Sequence, residues 1–301
     1  MGTPPFGWLF PPGRNAMRMR VAAIQMTSTA GQAANLRQAE DLLAEAAASK
    51  AALAALPENF SYLRAEGDPA PQAEPFAPPG EAGGGGTVTA WLREKARAHG
   101  MWILGGTIPE TLSPGSGDAR IYNTSPLVDP SGRVVARYRK IHLFDVAIPG
   151  GPAHEESATV APGGDIVLAE TPFGPAGLTV CYDLRFPELY RALAMRGARI
   201  LLVPSAFTAQ TGKDHWEPLL RARAIENSCY VVAPAQVGRH CARRVSHGHA
   251  MIVDPWGTIL AQAPDRPGVV LADLDSKDLE RVRGGIPTLA HVRRDIFFTG
   301  D

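Results

Sequence analysis

Two units in the middle of the chain each join an apolar run to a helix-like segment. "GLTVCYD" (177–183) leads into "FPELYRALAMRG" (186–197), and "ARILLVPSAF" (198–207) leads into "DHWEPLLRARAIENS" (214–228). The runs "ILLVPSAF" and "YVVAPAQ" are apolar without alternation, which is typical of strands covered on both faces. Pro187 suits the first turn of a helix. Covered strands in turn with helices predict a layered α/β fold.

The flanking segments fit this fold class and add hairpins. "MRVAAIQM" (19–26) and "MWILGGTIPE" (101–110) are predicted strands, and residues 35–50 and 87–100 are predicted helices, the second ending at Gly100. "PLVDPSGRVVARY" (126–138) and "MIVDPWGTILAQ" (251–262) share the plan strand, Asp-Pro-x-Gly, strand, which predicts two type I turns. "CYVVAPAQV" (229–237) and "GVVLADLD" (268–275) complete the strands. The sheets should therefore mix parallel strands with antiparallel hairpins.

We predict a flexible leader over residues 1–18 and a single domain over residues 19–301. The leader has four prolines, two arginines and no acidic residue, and it lacks the apolar centre of a signal peptide. Organelle targeting is the alternative role for it. Residues 65–86 are rich in Pro and Gly and predict a surface loop. Their glycine run follows no strand and precedes no Lys-Ser/Thr, which argues against a phosphate-binding loop.

The composition excludes several classes of partner. Lys plus Arg and Asp plus Glu are both 30, so no basic surplus favours a nucleic acid or an acidic membrane. No run of about 18 apolar residues predicts a membrane span. The cysteine count of 3 argues against a disulfide framework and for a reducing compartment, so we expect a cytoplasmic protein.

Cys181 differs from the other cysteines in its neighbours. It ends an apolar strand and is followed at once by Tyr182, Asp183 and Arg185. A buried free cysteine is more often a small hydrophobe than a reactive group, and Cys229, beside the apolar "YVVAP", fits that role. The carboxyl end of an α/β strand, however, is where such folds place their sites. Packing and chemistry therefore both stay open for Cys181.

A cysteine nucleophile needs a base and a group that stabilises a tetrahedral intermediate, because a free thiol with a pKa of about 8.5 is mostly protonated at pH 7. Glu58, at the end of the apolar "ALPENF", is the candidate base, and we expect burial to raise its pKa. Lys140 in "RYRKIHLFD" and Glu156 in "HEESATVAPG" are further candidates. Taken singly, each is more often a solvated residue at the rim of a sheet.

The histidines offer two alternatives. His142 could form a Cys-His pair with Cys181. No CxxC or HExxH spacing supports a metal, so we predict no metal site. One group of residues could nevertheless be considered for zinc: His240, Cys241, His247 and His249.

Four motifs in this order resemble the carbon–nitrogen hydrolase family, the nitrilase superfamily: "LPENF", "YRKIHLFD", "ESATVAPG" and "TVCYDLRFPELYR". The resemblance covers nearly the whole chain from about Met19. It implies a four-layer α-β-β-α sandwich, which agrees with the helix-covered strands and hairpins. The Glu-Lys-Cys triad of the family falls on Glu58, Lys140 and Cys181, and a second glutamate common in the family falls on Glu156.

The resemblance also implies a mechanism that needs no metal and no organic cofactor. Glu58 would take the thiol proton while Cys181 attacks an amide carbonyl carbon. Lys140 and the backbone N–H of Tyr182 would hold the oxyanion. Glu58 would then protonate the leaving amine and activate the water that hydrolyses the thioester, and Glu156 would orient Lys140 or the substrate amide.

A closer likeness narrows the expected substrate. "PSAFTAQTGKDHWEPLLRARAIENSCYVVAPAQVGRH" and "HGHAMIVDPWG" look like the branch of the family that hydrolyses deaminated glutathione. This implies a metabolite-repair amidase that releases 2-oxoglutarate and cysteinylglycine. One alternative is a 2-oxoacid omega-amidase, which would release ammonia from 2-oxoglutaramate, or another small aliphatic amidase. The other is a catalytically silent scaffold. The presence of all three triad residue types argues against this alternative.

A substrate with several carboxylates needs cations in the site. Arg185 is the first candidate for a carboxylate fork, and a structural salt bridge to Glu188 or Asp183 is the alternative. Arg239 and Arg244 lie in a loop that could cover the entrance. Four further residues could line the pocket, with a core role as the alternative for the last two: Phe144, Thr208, Phe207 and Trp216.

The chain departs from the family in two stretches, "SKAALAALPE" before Glu58 and the long loop "APQAEPFAPPGEAGGGG". We expect these two departures to affect the range of substrates more than the triad residues. Relatives pair through the helices next to the nucleophile strand, which here correspond to residues 186–196 and 214–228. The resemblance therefore implies at least a homodimer.

Overall fold

The computed structural model describes residues 17–64, 71–76, 85–112, 117–147 and 153–297. Most of the predicted leader and of residues 65–86 therefore lie outside the described residues. No helix in the described ranges is both long and apolar enough to cross a membrane. The helices are α1 (Gln32–Ala48), α2 (Thr87–His99), α3 (Pro187–Met195), α4 (Ala209–Asn227), α5 (Ser276–Gly285) and α6 (Arg294–Phe297), with 3-10 turns at Glu156–Ala158 and Cys181–Arg185.

The described strands form two large sheets and a small one. They are β1 (Arg18–Met26), β2 (Leu53–Ala55), β3 (Trp102–Leu104), β4 (Ile108–Thr111), β5 (Ile121–Val128), β6 (Val134–Arg139), β7 (Asp145–Ala147), β8 (Ala153–Glu155), β9 (Leu168–Thr171), β10 (Gly174–Leu178), β11 (Ile200–Leu202), β12 (Tyr230–Ala233), β13 (Ala235–Arg239), β14 (Val245–His247), β15 (Met251–Val253), β16 (Ile259–Gln262) and β17 (Gly268–Asp275). The first sheet has the order β14-β13-β1-β2-β3-β5-β4, with β17 also paired to β1 and β6 to β5. The second has the order β16-β15-β12-β11-β10-β9, and β7 pairs with β8.

Both large sheets mix parallel and antiparallel pairs, as predicted. β1, β2 and β3 run parallel in the first sheet, and β10, β11 and β12 run parallel in the second. β17 lies antiparallel to β1, from Arg18 opposite Asp275 to Gln25 opposite Gly268. Parallel strands end at a common edge of their sheet. The segments that follow β10 and β11 therefore lie at the same edge of the second sheet.

The alternation of side chains along β1 explains the four layers. Ala22 and Ile24 belong to one apolar cluster with buried residues of α1 and α2. Val21 and Ala23 belong to another, which contains the second sheet together with α3 and α4. Each fully buried Ile or Leu there contributes about 1.5–3 kcal/mol by removal from water. The order helix, sheet, sheet, helix is the predicted α-β-β-α sandwich.

The two Asp-Pro-x-Gly segments form the same turn. The carboxylate of Asp129 accepts hydrogen bonds from the N–H groups of Ser131 (2.9 Å) and Arg133 (3.0 Å). Asp254 accepts the equivalent pair in the β15–β16 turn, at 2.9 Å and 2.8 Å. The glycine that ends each turn has a positive φ, 80° and 91°, which glycine adopts without strain. The turn chemistry read from the sequence thus connects β5 to β6 and β15 to β16.

Three boundaries differ from the prediction for local reasons. "MWILGGTIPE" splits into β3 and β4, because the chain turns at Gly106, where φ is +50°. "CYVVAPAQV" splits at Pro234, which has no N–H for a ladder, so β12 joins the second sheet and β13 the first. Helix α4 begins at Ala209 rather than Asp214, because the hydroxyl of Thr208 accepts a backbone N–H of the first turn (3.5 Å).

Candidate active site

Cys181 opens a 3-10 turn shortly after β10, at the carboxyl edge of the second sheet. Its φ of +48° lies in the left-handed region, which costs a residue with a Cβ about 1 kcal/mol. Its N–H donates to the carbonyl of Pro204 (3.0 Å). Backbone strain persists where surrounding contacts fix it, and it is concentrated at functional sites. This turn therefore holds the Cys181 thiol in a defined direction at the sheet edge.

The buried carboxylate of Asp183 joins this turn to the segment that follows β6. Its Oδ2 accepts hydrogen bonds from the Val180 N–H (2.8 Å) and the Tyr138 hydroxyl (2.7 Å). Its Oδ1 accepts from the His142 N–H (3.0 Å) and contacts His142 Nδ1 (2.7 Å). The alternative in which His142 pairs with the nucleophile is wrong for this structure, because the His142 ring stacks on Phe186 (centroids 3.6 Å apart) and the Cys181 thiol is hydrogen-bonded to Glu58 instead.

Glu58 follows β2 and is only 3% exposed. Its Oε1 accepts hydrogen bonds from Asn123 Nδ2 (3.0 Å) and Lys140 Nζ (3.1 Å), and its Oε2 accepts from the Ala206 N–H (2.9 Å). Gly106 packs against the Glu58 loop so closely that an added Cβ would lie 2.1 Å from the carbonyl oxygen of the residue before Glu58. Three donors and a tight backbone contact fix this carboxylate.

Lys140 follows β6 and is 2% exposed. Besides its contact with Glu58, its Nζ donates to Glu156 Oε1 (3.1 Å) and Oε2 (2.8 Å). Glu156 opens the first 3-10 turn, and its Oε2 also accepts the Phe144 N–H (2.7 Å). Two carboxylates therefore hold the ammonium from two sides, an arrangement that suits the predicted role of Glu156 in orienting Lys140.

Burial and charge together set the protonation states of Cys181 and Lys140. Burial, followed by the charge of Glu58, raises the pKa of the Cys181 thiol well above its ordinary value. Burial alone would lower the pKa of Lys140, but the charges of Glu156 and Glu58 outweigh it and raise that pKa well above the usual range. The resting site therefore contains a protonated thiol, hydrogen-bonded to Glu58, beside a permanent ammonium.

The pKa of Glu58 moves opposite to the prediction. Burial alone would raise it, but the charge of Lys140 and hydrogen bonds from Cys181 and Lys140 outweigh burial and lower the pKa. The predicted upward shift is wrong because it weighed burial without the ion pair. Glu58 is therefore a carboxylate at neutral pH, ready to accept the thiol proton.

The triad opens into a cavity of about 1100 Å³. The ring of Phe144 lies edge-on to Tyr182 (centroids 5.1 Å apart) and 5.0 Å from the ring of His154. All four predicted catalytic residues line the cavity, and so do four predicted binding residues: Tyr182, Phe144, Phe207 and Thr208. The cavity is thus large enough for an amide much longer than a simple aliphatic one.

Two predicted binding residues lie outside the cavity wall as far as the structure describes it. The guanidinium of Arg185 contacts His215 Nδ1 (3.1 Å) and lies over the ring of Phe207 (5.1 Å). Trp216 is completely buried, and its Nε1 donates to the His249 carbonyl (2.8 Å). Trp216 has the core role that was its alternative, and substrate contact by Arg185 stays a prediction.

No group of three or more His, Cys, Asp and Glu residues in the described ranges is arranged to hold a metal ion. His240 is buried between the Ser28 carbonyl and the Ser246 hydroxyl, each 2.8 Å from one of its ring nitrogens. The Cys229 Sγ is buried 3.1 Å from the Ala198 carbonyl, in the structural role predicted for it. These side chains therefore serve internal hydrogen bonding.

Sequence reasoning missed Asn123 and Ala206. The Asn123 amide donates to both Glu58 (3.0 Å) and Glu156 (3.4 Å). A polar residue inside the otherwise covered strand "IYNTSPLV" was the available signal for it. Ala206 contributes through its backbone N–H, which no side chain marks in a sequence.

We expect Asp183→Asn to lower both stability and activity. An amide offers one acceptor oxygen where the carboxylate offers two, so at least one of the donors from Val180, Tyr138 and His142 would face an NH₂ group. The free energy of unfolding, measured in urea, should fall by about 2–4 kcal/mol. The value of kcat/KM should fall as well, because the turn that carries Cys181 loses its anchor.

Asp129→Asn is the matched control for this variant. Asp129 is also buried and accepts several hydrogen bonds, but in the β5–β6 turn. It should lose stability and keep kcat/KM. Equal kcat/KM in both variants would contradict the anchoring role of Asp183.

The fold and the site define a class of enzyme. A family model described as carbon–nitrogen hydrolase matches residues 20–284, and the chain belongs to that family. It is a hydrolase that acts on the carbon–nitrogen bonds of amides. The motif-based resemblance and the sandwich fold that it implied are thereby confirmed.

Particular relatives are also close. The chain is 47% identical over 272 residues to the deaminated glutathione amidase of Synechocystis sp., which covers 90% of this chain and 96% of that protein. It is similar to the crystal structure of Saccharomyces cerevisiae Nit3, of branch 10 of the nitrilase superfamily (TM-score 0.79, 31% identity, 93% of this chain and 97% of that chain). The C. elegans NitFhit protein matches with a TM-score of 0.78 and 36% identity, over 93% of this chain and 66% of that longer chain.

Proposed function

We propose that this enzyme hydrolyses the side-chain amide of deaminated glutathione to 2-oxoglutarate and cysteinylglycine. The observation that carries the proposal is the meeting of Glu58, Lys140 and Cys181 at the wall of a cavity of about 1100 Å³. The relative named deaminated glutathione amidase, at 47% identity, supports this substrate. A cavity of that volume also suits an amide that carries a dipeptide leaving group.

The first step joins the thiol to the substrate. The Cys181 thiol proton passes to the Glu58 carboxylate while Sγ bonds to the amide carbonyl carbon. Glu58 can take this proton because it is ionised at rest and hydrogen-bonded to the thiol. The electron pair of the carbonyl bond moves to its oxygen and forms the oxyanion.

Two donors stabilise this oxyanion, each worth about 3 kcal/mol in comparable sites. One is the Tyr182 N–H, which lies in the first turn of the 3-10 segment, where backbone donors have no partner within the turn. The other is Lys140 Nζ, whose three protons meet three carboxylate oxygens at rest. Two of those oxygens belong to Glu156, so one Nζ proton can serve both of them. The Nζ proton that this releases can then be donated to the oxyanion.

Glu58 completes the reaction. Collapse of the tetrahedral intermediate breaks the carbon–nitrogen bond, and the leaving amine takes the proton from Glu58. A water then attacks the thioester and gives a proton to Glu58, which returns it to Cys181 as the acid leaves. The charge of the site is the same before and after the cycle.

A comparison of two substrates tests the proposal. We expect kcat/KM for deaminated glutathione to exceed that for 2-oxoglutaramate by at least about tenfold, or about 1.4 kcal/mol, because the dipeptide portion adds binding energy. Release of cysteinylglycine and of ammonia would be measured directly. A preference for 2-oxoglutaramate would support the omega-amidase alternative, and turnover of neither would support the silent scaffold.

A further inference from the structure

The cationic side chains that line the cavity differ in their partners. Lys140 lies between two carboxylates, and Arg120 forms a bidentate pair with its neighbouring aspartate (2.7 Å and 3.1 Å). Arg64 and Arg243 also have interactions of their own. Arg244 is partly buried and forms no salt bridge or hydrogen bond with an acidic side chain among the described residues, although its charge reaches Glu58. A partly buried cation that forms no salt bridge of its own indicates a place for an anionic group of a ligand.

The backbone fixes where Arg244 stands. Its carbonyl accepts the His240 N–H (2.9 Å), which closes the hairpin between β13 and β14. An antiparallel bridge joins Ser246, two positions further along, to Thr208, the N-cap of α4. Thr208 and Arg244 both line the cavity, and the positive end of the α4 macrodipole adds to the field there. Arg244 is therefore held on the cavity wall beside the start of α4.

Arg244 lines the same cavity as Glu58 and His154, and its charge acts on both. After the larger effect of Lys140, its charge also helps to hold down the pKa of Glu58. After burial, it likewise lowers the pKa of His154, another cavity residue. The Nε2 atom of His154 is buried and has no hydrogen-bond partner in the described ranges, so it can serve the same ligand group. Glu58 is the residue that protonates the departing amine.

We propose that Arg244 binds the carboxylate of an amine leaving group and thereby selects amides whose leaving group is a dipeptide with a free terminal carboxylate. This deepens the proposed function and rests on it. The terminal carboxylate of a dipeptide lies about 7 Å from its amino nitrogen when extended, at about 3.3–3.6 Å per residue. 2-Oxoglutaramate has no carboxylate on this side, because ammonia leaves.

Arg244→Gln should lower kcat/KM for deaminated glutathione by about 10–100-fold, the loss expected for charge-assisted hydrogen bonds. It should lower kcat/KM for 2-oxoglutaramate by no more than about threefold. A third amide, deaminated glutathione with its terminal carboxylate converted to a carboxamide, should react almost equally with wild type and variant. Arg239→Gln is the matched control, since Arg239 is exposed on the same hairpin and donates to the Ala242 carbonyl. It should leave all three rates unchanged.

Equal losses on all three amides, or no loss on deaminated glutathione, would overturn the assignment of Arg244. Absence of wild-type turnover of deaminated glutathione would instead contradict the proposed function. In that case the assignment of Arg244 is tested by measuring how strongly cysteinylglycine inhibits the hydrolysis of 2-oxoglutaramate. Its inhibition constant should rise at least about tenfold in Arg244→Gln, while that of cysteinylglycinamide should not change. An unchanged constant for cysteinylglycine would overturn the proposal.

Discussion

Replacement of Cys181 by alanine should abolish amide hydrolysis, with a fall in kcat of about 10⁴-fold or more. The variant keeps the cavity, the Tyr182 N–H and the Lys140 ammonium but has no atom that can bond to the carbonyl carbon. Alanine retains the Cβ, so the backbone at φ +48° should keep its conformation. The far-UV circular dichroism spectrum and the melting temperature should therefore stay close to those of the wild type.

Cys229→Ala is the matched control, because Cys229 is also a buried thiol but its contacts are structural: it bonds to the carbonyls of Ala198 and Asn227, and its Sγ accepts a hydrogen bond from Arg283 (3.4 Å). It should keep its full activity. Mass spectrometry of wild-type enzyme quenched during turnover should find an acyl adduct on the peptide that contains Cys181 and none on that of Cys229. Undiminished turnover in Cys181→Ala would refute the assignment of the nucleophile.

The fold could be predicted to the level of its layers because the signals were local. Apolar runs without alternation identified covered strands, and the Asp-Pro-x-Gly segments identified turns whose bonds all lie within five residues. The strand break at Pro234 was missed because apolar residues continue on both sides of it, whereas the break at Gly106 was missed although the Gly105-Gly106 pair is a turn signal. Only the tertiary structure shows that the chain changes sheets at Pro234.

The site could be predicted in its residue types but not in its electrostatics. Motif order identified Glu58, Lys140, Cys181 and Glu156, which the structure brings to one cavity. The direction of the Glu58 pKa could not be read from its segment, because Lys140 lies 82 positions away in sequence. Arg185 was favoured for its proximity in sequence to Cys181, whereas Arg244 reaches the cavity from a distant hairpin. Long-range contacts of this kind leave no local pattern.

The expected homodimer stays a prediction. Two large apolar side chains are exposed at the outer side of the α4 layer, Ile225 (48%) and Trp256 (58%). They are near each other, since Gly257 packs against Ile225. Ile225 lies on one of the predicted pairing helices and Trp256 lies in the β15–β16 turn beside it, which agrees with an interface there.

Replacement of Lys140 by methionine should remove activity and destabilise the fold together. The oxyanion loses a donor, which costs about 10²–10³-fold in kcat. Glu58 and Glu156, whose side chains are 4% and 17% exposed, lose their shared cation. A buried charge left without its partner costs about 3–5 kcal/mol. Urea unfolding at pH 8 and kcat measured on the same preparations would show both effects, and Lys213→Met, which removes an exposed lysine, should show neither.

The pH dependence of stability should distinguish destabilisation by the loss of the ion pair from destabilisation by the loss of packing. In the wild type the pKa of Glu58 is lowered, so its contribution is present above its unfolded pKa and is lost as pH falls through the folded value. In Lys140→Met the positive charge beside Glu58 is gone, so burial should raise the pKa of Glu58. The stability of this variant should therefore increase as pH falls from 8 towards 5. The double variant Glu58→Gln, Lys140→Met should recover most of the lost stability at pH 8 and remain inactive, because one buried charge has been neutralised with its partner. A double variant as unstable as Lys140→Met would show that lost packing around the lysine stem, rather than an unpaired Glu58, causes the destabilisation.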